Sequence, residues 1–228
     1  MGFEMKDKDQ QIIKFDFDQN FKNDDFFVSK SNKHILNMLN SWPKWEKNFI
    51  NISGEKLSGK THLVNVFIQR FKGIKKEANL LNNNDLKEIK LYQNVILENL
   101  NKNVDEKLLY SLINMVEQEN KFLIITSLES IVNVNFNLSD LKSRSKNFLL
   151  LEIDKPDDEL IYALILKNLS DRQIILDKKL INYIIKRIDR SYGKIFDFIY
   201  KIDEISLKRK KPIDYKIIKD VLDGGVVE

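Results

Sequence analysis

The stretch Phe49-Ile50-Asn51-Ile52-Ser53-Gly54-Glu55-Lys56-Leu57-Ser58-Gly59-Lys60-Thr61-His62-Leu63-Val64 decides how this chain is read. The apolar run 49–52 has strand character and leads straight into glycine. A helical stripe of Leu63, Val64, Phe67 and Phe71 follows. Between them, Gly54, Glu55, Lys56, Leu57, Ser58, Gly59, Lys60 and Thr61 fill the eight-residue phosphate-loop pattern at every fixed position. The glycines let successive backbone N–H groups turn inward around an anion. Lys60 can reach the outer phosphates, the Thr61 hydroxyl can ligate Mg²⁺, and the helix aims its positive end at the anion. Only 7 glycines occur in 228 residues, so a chance match between a strand and an amphipathic helix is rare. The expected ligand is ATP or ADP with Mg²⁺.

Further strands are expected at 77–81, 95–97, 122–125 and 148–153, with a turn-rich loop at 82–84. Helices are expected at 32–39, 59–71 and 105–119. This alternation predicts an α/β fold, a parallel sheet covered on both faces. Trp42-Pro43 should end the first helix. From Asp154-Lys155-Pro156-Asp157-Asp158-Glu159 onward the pattern is helical only, near 156–169, 177–188, 192–208 and 213–222, with proline expected in the first turn. The expected organisation is a flexible arm (1–24), an α/β nucleotide-binding core (25–154) and a small all-α lid (155–228).

Val95-Ile96-Leu97-Glu98-Asn99 is the candidate second motif. Glu98 is the candidate catalytic acid and Mg²⁺ partner. The usual pattern has two adjacent acids there, and Asn99 cannot act as a base at neutral pH, so fast hydrolysis is not expected. Thr126 and Ser127 end the next strand at the edge where parallel sheets bind ligands. They read either as sensors of the terminal phosphate or as ordinary strand-end caps.

Composition excludes other classes. Without cysteine there are no disulfides or thiolate metal sites, and His34 and His62 belong to no ligand pattern. The charge of +4 is spread among interspersed acids and bases, which reads as a solvated surface rather than a nucleic-acid patch. The densest basic run is Lys208–Lys211. The N-terminus lacks a secretory signal, and no apolar run is long enough to span a bilayer, so the expected location is the cytoplasm, with no membrane partner.

Several segments together resemble the DnaA family of AAA+ proteins: Asp25-Phe26-Phe27-Val28-Ser29-Lys30-Ser31-Asn32, then Trp42-Pro43 and the phosphate loop, then Leu141-Lys142-Ser143-Arg144. Pro156–Leu160, Asp171-Arg172-Gln173 and Arg187–Ser191 resemble the lid of the DnaA-related regulatory inactivators, the Hda family, in their alphaproteobacterial form. The likeness covers roughly residues 10–222. The chain stops after the lid where the initiator has a helix-turn-helix domain, so the expectation is an inactivator.

The resemblance implies that Phe26, Val28 and Asn32 lie near adenine. It implies that Arg144 acts as an arginine finger toward a partner ATPase, and that Lys194 stands where the family's lid sensor is an arginine. Such inactivators bind the DNA polymerase III sliding clamp (β subunit) through a glutamine-led apolar peptide and promote hydrolysis of ATP on the DnaA initiator. Gln10, Gln11, Ile13 and Phe15 are the candidate peptide residues, with the register open between the two glutamines. DNA is contacted only indirectly, and self-association is left open. Two alternatives remain. One is a helicase-loader ATPase of the DnaC type, which needs a basic, aromatic-studded groove that is not evident. The other is a scaffold that retains ADP without hydrolysis, which Asn99 favours.

Overall fold

In the computed structural model, which describes residues 26–209 and 212–224, five parallel strands form one sheet. They are β1 (Phe49–Ser53), β2 (Ile74–Glu77), β3 (Asn94–Leu100), β4 (Phe122–Ser127) and β5 (Leu149–Glu152), ordered β2-β3-β4-β1-β5. The central strands are buried on both faces, and their alternating residues feed two cores. Phe49, Val95, Leu97, Leu123 and Ile125 face one side, with α3 (Asn83–Ile89), α4 (Glu106–Gln118) and α5 (Ser139–Ser145). Ile50, Ile52, Ile96 and Ile124 face the other, with α1 (Lys33–Asn40) and α2 (Lys60–Phe71). Each fully buried aliphatic side chain contributes about 1.5–3 kcal/mol relative to exposure, so both layers are held firmly to the sheet.

After β5 the described residues are only helical: α6 (Asp158–Asp171), α7 (Lys178–Ile185), α8 (Tyr192–Arg209) and α9 (Tyr215–Leu222). They close on a core of their own that includes Ile161, Ile165, Ile184, Ile195, Ile202 and Ile218. Leu160 and Tyr192 instead pack into the α1/α2 side of the sheet, so the lid is seated on the phosphate-loop face. Among the described residues no helix is long and apolar enough to cross a membrane.

Three local expectations are corrected. The strand expected at 77–81 lies at Ile74–Glu77, and Ala78–Leu80 is a 3₁₀ turn. The strand is polar because it is a sheet edge, whereas the apolar cluster after it packs from a turn. The expected loop at 82–84 starts α3: Asn82 caps the helix by accepting from the Asn84 and Asp85 amides, and Asp85 answers by accepting from the Asn82 amide. Pro156 lies outside α6, whose N-cap is Asp157, accepting from the Leu160 amide at 2.8 Å.

Candidate functional site

The carboxyl ends of the central strands meet on one edge, where Ser53 is level with Ser127 on one side and Glu152 on the other. The phosphate loop leaves β1 at this edge. A Cβ on Gly54 would lie 3.0 Å from Ser58 Oγ and 3.1 Å from Ile153 Cβ, so a side chain there would crowd both neighbours. Gly59, at φ 95°, ends the loop in a left-handed conformation and is the N-cap of α2. Lys56 and Leu57 point to solvent at the loop apex, so what they offer the site is backbone. The first amides of α2 have no partner within the helix, as at any helix start.

Lys60 is the first residue of α2, and its ammonium lies inside the loop, donating to the Gly54 and Glu55 carbonyls at 2.7 Å each. Burial pushes its pKa below the ordinary lysine value, with nearby Glu55 opposing. Ser58 Oγ is buried without a hydrogen-bond partner. Main-chain amides, a buried cation and a free hydroxyl around a tightly packed glycine loop fit a polyphosphate.

Glu98, at the end of β3, is 2% exposed. Its Oε2 is paired with Lys75 Nζ at 2.9 Å, while Oε1 is buried and accepts no hydrogen bond. Lys75 also donates to Asn65 Oδ1 at 2.8 Å. Asn65 lies one helical turn beyond Thr61, on the same face of α2. Thr61 and the free oxygen of Glu98 therefore fit a divalent cation held jointly with phosphate oxygens. Among the described residues no group of three or more His, Cys, Asp or Glu forms a metal cage by itself.

At Glu98–Asn99 the β3–β4 register slips, and Asn99 takes φ 59°. Its amide donates to Thr126 Oγ1 at 3.0 Å, and its side chain donates to both Glu77 oxygens at 3.0 and 3.2 Å. The two candidate sensors are thus engaged within the fold. Thr126 Oγ1 accepts from Asn99. Ser127 Oγ donates to the Glu129 carbonyl at 2.6 Å and accepts from the Asn51 side chain at 2.9 Å.

On the other flank, Phe26 stacks on His62 of α2, with ring centroids 5.0 Å apart and 12° between planes. It also lies 3.2 Å from where a Gly59 Cβ would sit. Val28 is 42% exposed nearby in sequence. Asn32 is buried, and both ends of its side chain hold the 27–32 turn, accepting from the Ser29 amide and donating to the Phe27 carbonyl. It shapes the segment carrying Phe26 and Val28.

The lid closes over the loop through Glu55. Its Oε2 accepts from the backbone amide of Tyr192 at 3.1 Å, and the Tyr192 hydroxyl donates to the Asp154 carbonyl at 3.2 Å. A cavity of about 240 Å³ lies between Gly54, Glu55, Leu128, Ile153, Asp154 and Tyr192. Lys194 sits in the same first turn of α8, with its side chain exposed.

Arg144 is not brought to this site. It lies in α5, just ahead of β5 and so at the amino edge of the sheet, where it pairs with Glu117 and lies over the Tyr110 ring at 5.4 Å. The peptide residues Gln10, Gln11, Ile13 and Phe15 lie outside the described residues, as do Asp25, Lys210 and Lys211.

No protein-family model matches the chain. Domain III of the DnaA initiator from Thermotoga maritima superposes with a TM-score of 0.70 at 17% identity, covering 90% of this chain and 95% of that domain. AMPPCP-bound DnaA from Aquifex aeolicus gives 0.63 at 19%, covering 81% and 66%. The RuvB Holliday junction branch migration motor from T. maritima gives 0.65 at 16%, covering 87% and 70%.

The chain has a DnaA-like AAA+ fold.

Among curated proteins, the chromosomal replication initiator DnaA of Buchnera aphidicola subsp. Cinara cedri is 23% identical over 245 residues, spanning 96% of this chain. The chain spans only 56% of the length of that relative. Within the AAA+ frame, sequence reasoning overlooked Lys75, Glu77, Asn65 and Tyr192. Lys75 and Glu77 sit on the edge strand that the pattern misplaced. The Glu55–Tyr192 contact joins residues 137 apart and carries no local signal.

Proposed function

We propose that this chain binds ATP or ADP with Mg²⁺ at Gly54–Thr61 and acts as a nucleotide-switched regulator of replication initiation. The phosphate cradle carries the reading: the buried Lys60 ammonium sits among loop carbonyls, beneath the unpartnered amides of α2. The DnaA of A. aeolicus is a nucleotide-bound protein of the same fold, in its AMPPCP complex, which supports carrying the ligand class across.

In this reading Lys60 neutralises the outer phosphates, and Thr61 with Glu98 holds the cation. Phe26 supplies the flat apolar surface next to the base. Mg²⁺ would neutralise charge on the phosphate oxygens. Intrinsic turnover is slow, because the residue after Glu98 is an asparagine whose amide is tied to Glu77. Arg144 faces away from its own site and serves a partner ATPase, the DnaA initiator, whose bound ATP it helps to hydrolyse. Gln10, Gln11, Ile13 and Phe15 anchor the chain to the sliding clamp by filling an apolar pocket behind a polar rim. The tied Asn99 also favours a second reading, in which the chain retains ADP as a scaffold.

The test is a titration with fluorescently labelled ADP, with Lys60→Ala as the control. The expected result is saturable binding that weakens by at least about tenfold in the variant, as for loss of a charge-assisted contact. Absent or unchanged binding would end the nucleotide reading. Hydrolysis of initiator-bound ATP, measured with clamp-loaded DNA and added chain, separates the regulator from the scaffold. Stimulation that requires Arg144 supports the first, and none supports the second.

A further inference from the structure

We infer that Lys75 is a resident cation at the metal-side carboxylate, so that nucleotide binding by this chain depends only weakly on Mg²⁺. The inference rests on the nucleotide reading above and names a regulatory property of that same site.

A carboxylate buried beside a polyphosphate is a liability: two like charges in a low dielectric repel unless a cation lies between or beside them. Here the cation is built in. Lys75 lies on β2 level with Ile96 of β3, one strand over from Glu98, and on the face that packs against α2. Its side chain is 36% exposed, and its ammonium lies 2.9 Å from Glu98 Oε2 and donates to Asn65 Oδ1 at 2.8 Å. Asn65 follows Thr61 by one turn of α2, so the ammonium is bound to the same helix that carries the hydroxyl that would ligate a metal. The pair as a whole carries no net charge before any ligand arrives. Glu98 therefore neither repels phosphate strongly nor attracts a divalent ion as strongly as a bare carboxylate. The free Oε1 still permits a metal to bind, but with a rival already in place.

Removing Lys75 should reverse this balance. With the ammonium gone, Glu98 is an unpaired buried anion, and nucleotide binding then needs a divalent cation to offset it. Lys75 acts through Glu98, so it is a positioning residue rather than a catalytic one.

The experiment measures the affinity of the full chain for labelled ADP in Mg²⁺ and in excess EDTA, for wild type, Lys75→Met and Lys75→Arg. Wild type and Lys75→Arg are expected to change by less than about threefold on chelation, and Lys75→Met to weaken by more than about tenfold, as fits an uncompensated buried charge. A purely structural role would weaken Lys75→Met equally in both media, and that result would overturn the inference. Wild type that binds ADP in Mg²⁺ but loses tenfold or more in EDTA would overturn it while leaving the nucleotide reading intact. Wild type that binds in neither medium would overturn both.

Discussion

The carboxylate of Glu55 accepts the backbone amide of Tyr192 at 3.1 Å, which ties the phosphate loop to the first turn of the longest lid helix. An anion at that position opposes the positive end of the helix, so the contact combines a cap with a dipole interaction.

Glu55→Ala should therefore loosen the lid without disturbing the sheet. The expected loss is about 0.5–1 kcal/mol, with Glu55→Gln intermediate because it keeps the acceptor. Hydrogen exchange is the measurement: the amides of the first turn of α8 should exchange faster, and those of β1 and β4 should not change.

The lowered pKa of Lys60 predicts two opposite pH slopes. Phosphate binding needs the ammonium, so nucleotide affinity stays level while Lys60 is protonated. It then falls as pH climbs through the lowered native pKa, before the ordinary lysine value is reached. Over that interval the unfolded chain holds more protons than the native one, so this group makes folding stability rise with pH. Nucleotide titrations and denaturant unfolding between neutrality and the ordinary lysine pKa check both signs. Affinity that fell only at the ordinary value would show that Lys60 is not perturbed.

Arg144→Ala should leave the fold nearly untouched. The Arg144–Glu117 pair is at the surface, and such pairs contribute about 1 kcal/mol at most. Thermal unfolding should shift little, nucleotide affinity should not change, and stimulated hydrolysis on a partner should be lost. A variant with wild-type stimulation would show that the arginine serves no neighbour.

Asn51 makes the opposite case. It is wholly buried in β1, an interior strand between β4 and β5, donating to the Ile125 carbonyl at 3.1 Å and to Ser127 Oγ at 2.9 Å, and accepting from the Ile131 amide at 2.9 Å. Asn51→Leu leaves the buried Ile131 amide without its acceptor and takes a donor from both the Ile125 carbonyl and Ser127 Oγ, and should cost about 1–3 kcal/mol. Urea unfolding reads it directly.

The strand–loop–helix around Gly54 was legible because it is local: an apolar run, two glycines, a lysine and a helical stripe all lie within 23 residues, 49–71. The four lid helices were legible for the same reason, each carrying a period of its own. The edge strand β2 was not, because only Ile74 in it is buried and periodicity needs a buried face. Misplacing that strand hid Lys75 and Glu77, whose partners Glu98 and Asn99 lie on a neighbouring strand. The Asn82–Asp85 capping box was written in the sequence and passed over, since three consecutive asparagines read as a turn. Pairings across strands, or between loop and lid, depend on register, which no single stretch of sequence states.

The slip between β3 and β4 also narrows the mutational routes open to this chain. A carboxylate substituted at position 99 would inherit a left-handed backbone, aim at the Glu77 carboxylate and meet repulsion in place of a hydrogen bond. Placing a second acid beside Glu98 would thus take coordinated changes at two strands rather than one substitution. The sheet geometry around position 99 holds the residue beside Glu98 to a neutral side chain unless Glu77 changes with it.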